Sequence, residues 1–165
     1  MRFVPWFPVL LLTGCASATV PPAQQACTTM AEPWKAPRTA DSARDAAGAA
    51  KVHFAIGEAM RFTLHPDGEV AYRTLPQGEG EAKSFGGMAS FTVERPGTYS
   101  VGLSEPIWID VVEDGKPAQS IRFGTGAACS GIRKAVTFNL AAGEHGLELS
   151  GSTEREVAVL ITPVP

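Results

Sequence analysis

Beyond Val52 the chain alternates apolar and polar residues with a period of two. Met60, Phe62 and Leu64 alternate with Arg61, Thr63 and His65, Pro66-Asp67-Gly68 signals a turn, and Val70 and Tyr72 continue after it. Phe91 and Val93 precede a Pro96-Gly97 turn into Tyr99, Val101 and Leu103. Ile107, Ile109 and Val111 lead to Asp114-Gly115, a two-residue hairpin signal, followed by Ile121 and Phe123. Val136, Phe138 and Leu140 come before a turn read at Gly143-Glu144-His145-Gly146, then Leu147 and Leu149, and Val157, Val159 and Ile161 close the pattern. Side chains two apart share a face of a strand, so each run predicts a strand with one face toward a core. About nine short strands result, with turns every ~12 residues, the spacing of an all-β sandwich or barrel. No segment repeats apolar residues at i, i+3 and i+4 for the length of a crossover helix, which excludes a parallel α/β sheet. The predicted fold is a single antiparallel β-sandwich, jelly-roll-like or similar, over residues 50–165.

Upstream the pattern dissolves. From Ala16 to about Gly48 the chain is rich in Ala, Pro, Thr, Gln and Ser, which reads as a spacer, and Asp41 is positioned to cap a helical turn or two within 41–50. Residues 1–14 differ again: Arg2 is their one charge, and a short apolar stretch ends in Leu12-Thr13-Gly14-Cys15. A basic start with an apolar stretch too short to span a bilayer predicts a secretion signal. Leu12-Thr13-Gly14-Cys15 resembles the lipobox of bacterial lipoproteins. The resemblance implies cleavage before Cys15, acyl chains on that residue, and a mature chain with a spacer over 15–49. Ala16 and Ser17 differ from the Asp that keeps many such lipoproteins in the inner membrane, which implies the outer membrane, facing the periplasm. Each buried CH₂ of an acyl chain contributes ~0.8 kcal/mol, so several chains hold the protein on the membrane without a spanning segment.

Composition fits an exported globular domain. The 165 residues are 44% hydrophobic and 19% charged, with 17 Gly and 13 Pro, as expected of a turn-rich β domain with a core. With 14 Lys+Arg against 17 Asp+Glu, the net charge of −3 offers no basic surface for a nucleic acid. If Cys15 of the three cysteines is acylated, as the lipobox resemblance implies, Cys27 and Cys129 remain for a disulfide in an oxidising compartment. That bridge closes a loop of about a hundred residues, worth up to ~4.7 kcal/mol by loop entropy. Two free thiols, or a redox or metal pair, are the alternatives.

Candidate chemistry is sparse. His53, His65 and His145 are scattered, with no H-x-H, so a jelly-roll metal site would have to be assembled by the fold, with Glu58 or Glu144. No G-x-S-x-G is present, and Gly86-Gly87 read as loop glycines. The most informative segment is Pro106–Val112: Ile107, Ile109 and Val111 take one face, Trp108, Asp110 and Val112 the other. Arg122 is placed to reach Asp110 across the Asp114-Gly115 hairpin. An exposed Trp beside an Asp–Arg pair is a sugar-binding arrangement, the ring stacking and the polar groups taking hydroxyls. The plainer alternative is a covered Trp108 and a structural Asp110–Arg122 pair. Arg133 and Lys134, after Cys129, supply two cations for an anionic ligand, or a solvated loop end.

The pattern over residues 50–165 is similar to accessory β-sandwich domains of secreted bacterial proteins, of the carbohydrate-binding and prepeptidase-C-terminal kinds. The expected function is an envelope-anchored, non-enzymatic lipoprotein that binds a partner protein or an envelope glycan, with Trp108, Asp110, Arg122 and Arg133 at the site and no cofactor. Two other classes stay open. One is a cupin-like metal-dependent oxygenase or hydrolase using His53, His65 and His145. The other is a structural or assembly subunit of an outer-membrane complex.

Overall fold

Strand alternation becomes two facing sheets in the computed structural model, which describes residues 32–74 and 84–165. The elements are α1 (Glu32–Lys35), β1 (Arg38–Asp41), α2 (Ala46–Ala49), β2 (His53–Phe54), β3 (Ala59–Thr63), β4 (His65–Pro66), a 3-10 turn (Asp67–Glu69), β5 (Phe85–Val93), β6 (Gly97–Leu103), β7 (Trp108–Glu113), β8 (Lys116–Pro117), β9 (Ser120–Gly124), β10 (Lys134–Leu140), β11 (Gly143–Ser152) and β12 (Glu156–Pro163). One sheet has the order β1-β3-β12-β6-β10-β9. The other runs β2-β5-β11-β7-β8, with β4 also on β5. The protein is an all-β sandwich.

The core lies between the sheets and is made by the residues the alternation singled out. Phe62, Phe91, Val101, Val111, Leu147, Val157, Val159 and Ile161 are fully enclosed. Phe54 meets Phe62 edge-on at 5.6 Å between ring centroids, so aromatic contacts tie β2 to β3 across the layers. Leucine- to phenylalanine-sized side chains gain ~1.5–3 kcal/mol each on burial, so this layer supplies most of the driving force.

Several expectations are corrected. The folded body begins well before residue 50: β1 pairs in parallel with β3, Arg38 opposite Met60, and α1 buries Trp34 against Ala59, Ala158 and Leu160 on the outer face of that sheet. The sandwich is not purely antiparallel, since β1–β3 and β2–β5 are parallel pairs. Between β1 and β3 the chain visits the other sheet, where Ala43 bridges Met88 and β2 pairs with β5, and that excursion lets it return in the same direction. Twelve strands form among the described residues instead of about nine: the run at Val70 and Tyr72 gives none, β1 comes from the segment read as spacer, and β2, β4 and β8 are two residues long, too short to alternate visibly. The helical turn is capped by Asp45, whose side chain accepts from Gly48 N at 2.7 Å, while Asp41 ends β1. Val70 and Tyr72 lie in no strand. Gly86 and Gly87 are strand residues of β5, where the Tyr72 hydroxyl and the Ser42 side chain occupy the space a Cβ would need.

Asp114 and Gly115 do make a tight hairpin, with φ of 50° and 75°, joining β7 to β8 through Val112–Pro117 and Glu113–Lys116. After β8 the chain leaves that sheet. β9 joins the other one, beside β10, with Phe123 opposite Val136 and Arg122 opposite Thr137. The turn read at residues 143–146 is the start of β11.

Candidate ligand-binding site

β7, β9 and β10 frame a cleft of ≈ 440 Å³ at one side of the sandwich. Its floor is apolar, from Ile109, Val136 and Phe138, and its mouth carries Trp108, Phe123, Lys134 and Asp110. Phe123 is 81% exposed and Trp108 38%, while Val136 and Phe138 are buried.

Each mouth residue is placed by its strand. Lys134 opens β10 in phase with Val136 and Phe138, so it shares their core-facing side at the sandwich margin. Its Nζ donates to the Ile107 carbonyl at 2.6 Å and lies 5.4 Å from the centroid of the Trp108 ring. Burial holds the Lys134 ammonium below the usual lysine range, and the Asp110 carboxylate partly offsets this. Trp108 begins β7 beyond the reach of β8, which pairs only with Val112 and Glu113, so the ring sits at a bare sheet edge. Its Nε1 donates to Asp110 Oδ2 at 2.9 Å, an i,i+2 contact on one face.

Behind Asp110 stands a buried carboxylate. Glu148 of β11 lies directly opposite Asp110 and is 3% exposed. It accepts from Arg73 N at 2.9 Å, Thr74 N at 3.2 Å and Thr74 Oγ1 at 2.8 Å, a set of donors that replaces the water it has lost. Tyr72 anchors the same segment, donating to Leu149 O at 2.9 Å and to Asp67. Burial, reinforced by Asp67 and Glu148, pushes the Tyr72 phenol far above its ordinary value. This network holds residues 72–74 against the outer face of β11 and fixes the Asp110 side of the cleft.

The predicted site residues separate. Trp108 and Asp110 are together, as expected, and Trp108 is open to solvent. Arg122 does not reach Asp110, because β9 belongs to the other sheet; Asp110 takes Trp108 instead, with the Thr74 hydroxyl at 3.5 Å. Arg133 pairs with Glu105 at 2.6 Å and is not among the residues lining the cleft, so Lys134 is the cation there. Phe123, Thr74 and Glu148 were not singled out from the sequence. The phase of Lys134 with Val136 and Phe138 was the available signal for the lysine.

The histidines stay apart, each with its own partners. His53 Nδ1 is 3.1 Å from Ser90 Oγ, and His65 Nε2 is 2.7 Å from the Ser42 carbonyl. His145, expected at a solvated turn, is buried and stacks on Phe91 at 5.4 Å. Its Nε2 lies 3.0 Å from Ala141 O, so that nitrogen carries the proton, and its Nδ1 has no partner. Among the described residues no three His, Cys, Asp or Glu side chains gather as a metal site. A second hollow, ≈ 480 Å³, is lined by His53, Thr92, Glu94, Arg95 and Tyr99; there Tyr99 donates to Arg95 O at 2.7 Å and His53 is held by Ser90.

Cys129 is disulfide-bonded, with its partner outside the described residues. Cys15 and Cys27, with the lipobox and the signal segment, also lie outside them. No described helix is long and apolar enough to cross a membrane. The chain matches no known family, no curated protein and no solved structure.

Proposed function

We propose that this protein is an envelope-anchored, non-enzymatic lipoprotein whose β-sandwich binds an envelope glycan in the cleft between β7 and β10. The observation that carries this reading is the exposed Trp108 ring held by its own Nε1 bond to Asp110, with the Lys134 ammonium over its face. A sugar ring stacks on such an indole, and the carboxylate and ammonium beside it take hydroxyl and anionic groups. Cys15 supplies the acyl anchor, and a Cys27–Cys129 disulfide ties the spacer to the domain. The apolar floor of Ile109, Val136 and Phe138 favours a second reading, in which side chains of a partner protein fill the cleft.

Titration of the purified protein with peptidoglycan fragments, followed by tryptophan emission and thermal shift, tests the first reading. At a hundred times Kd the ligand adds ~2.7 kcal/mol, a shift of several degrees. Binding that disappears in Trp108→Ala supports the glycan. A flat titration with intact protein sinks it and moves the partner-protein reading to the front.

A further inference from the structure

Lys134 carries a charge that the fold has taken partly out of water without giving it a counterion. Its ammonium has three donors, one of which goes to the Ile107 carbonyl at 2.6 Å. Among the described residues it closes no salt bridge. Asp110, the one carboxylate lining the cleft, uses its Oδ2 for the Trp108 Nε1 and the Thr74 hydroxyl instead. Burial holds the ammonium below the ordinary lysine range, as befits a charge short of solvent. A half-buried cation of this kind is costly, and an anion bound beside it offsets that cost. The remaining lining restricts what carries the anion. Ile109, Val136 and Phe138 offer contact to an apolar substituent and nothing to a hydroxyl. Between the two, Asp110 Oδ1 accepts from no described residue and is free to take an N–H or O–H.

We infer that the sugar bound in this cleft is an acidic N-acyl amino sugar, stacked on Trp108 with its carboxylate on the Lys134 ammonium and its acyl methyl on the apolar floor. The inference rests on the glycan reading of the cleft and narrows it to one chemical class. Lys134 Nζ lies 5.4 Å from the centre of the indole ring, so a substituent of a sugar stacked there reaches it. The amide N–H of the acyl group donates to Asp110 Oδ1. A neutral sugar leaves the ammonium without a counterion. An acidic sugar without an acyl group pairs the ammonium and leaves the floor bare. Only the class with both groups meets the cation, the carboxylate and the floor together, and a charge-assisted bond in a partly dry site is the stronger of the two contacts.

Four disaccharides separate the two groups. N-acetylglucosaminyl-N-acetylmuramic acid has both, and its methyl ester keeps the shape and loses the charge. Diacetylchitobiose has the acetyl groups without charge, and digalacturonic acid has the charge without acetyl groups. Each is titrated calorimetrically into the whole chain as exported, with its disulfide formed and in non-denaturing detergent if acylated. The acetylated acid should bind about tenfold more tightly than each of the other three. In Lys134→Met, checked for folding by its thermal transition, the acid and its ester should bind alike. Equal affinity of the acid and its ester for the wild-type chain overturns the inference and leaves a glycan site standing. A preference for the acid that survives in Lys134→Met also overturns it, since another cation must then carry the contact. Digalacturonic acid binding as tightly as the acetylated acid does the same, because the floor then plays no part. Binding of none of the four overturns it together with the glycan reading, so the two failures are told apart.

Discussion

Phe123 and Val136 face each other across β9 and β10 on the same side of one sheet, yet Val136 is 5% exposed and Phe123 81%. Both occupy core-facing positions. Only Val136 has the second sheet above it, because β7 and the short β8 do not cover β9. The cleft is the gap this leaves, and it explains why an apolar ring stands in water at a position whose parity belongs to the interior.

Removing the two rings of this layer should therefore cost very different amounts. Phe138→Ala empties a buried site and is expected to lose about 3–5 kcal/mol. Phe123→Ala should stay within about 0.5 kcal/mol of wild type. Urea unfolding compares them; equal losses would mean that β9 is covered in solution.

Lys134 makes a pH-dependent contribution of known sign. Its folded-state value lies below the ordinary lysine value because burial penalises the ammonium. Between those two values the unfolded chain binds more protons than the folded one, so stability rises with pH through that window. Lys134→Met should abolish this rise and be neutral or stabilising at neutral pH. Denaturation midpoints collected across the alkaline range for both proteins check it.

Tyr72 works in the opposite direction at high pH. The unfolded phenol ionises near its ordinary value of about 10, whereas burial and the bond to Asp67 keep the folded phenol protonated. Stability is therefore lost as pH rises above about 10. Ultraviolet titration should show the Tyr72 phenol silent until the protein unfolds. Tyr72→Phe should remove that alkaline loss and cost about 1–2 kcal/mol at neutral pH, since the Leu149 carbonyl loses its donor.

Glu58 governs part of the acid limb. The Ala55 N–H bonds its carboxylate and Arg38 pairs with it, holding it below the usual range against a burial effect that raises it. Its stabilisation is complete above the ordinary carboxylate value and is lost as pH falls through the lowered one. Glu58→Gln should flatten the acid side of the stability profile there, as acid titration of thermal midpoints would reveal.

Glu148 gives the test of the network behind the cleft. Its carboxylate accepts from two backbone N–H groups and one hydroxyl. Glu148→Gln sets an amide N–H₂ against at least one of those donors and should cost about 1–3 kcal/mol. Amide exchange at Arg73 and Thr74 should accelerate; unchanged exchange would mean that something else holds the segment.

The sequence by itself determined which residues face a core. Alternation is a property of a single strand, so Phe62, Phe91, Val101, Val111, Leu147 and Val159 were legible, as were the Asp114-Gly115 hairpin and the Trp108–Asp110 face. Sheet membership is not local. It depends on which faces must be covered together, and that is decided only when the layers meet. For this reason Arg122, placed across a hairpin from Asp110, ended on the opposite sheet. β1 emerged from a segment that read as spacer, its four residues stabilised by pairing with β3 and not by any pattern of their own. His145, in phase with Leu147 and Leu149, was drawn into the core by its strand despite its polar ring. The cleft itself belongs wholly to the tertiary structure, because it is the place where one sheet extends past the other.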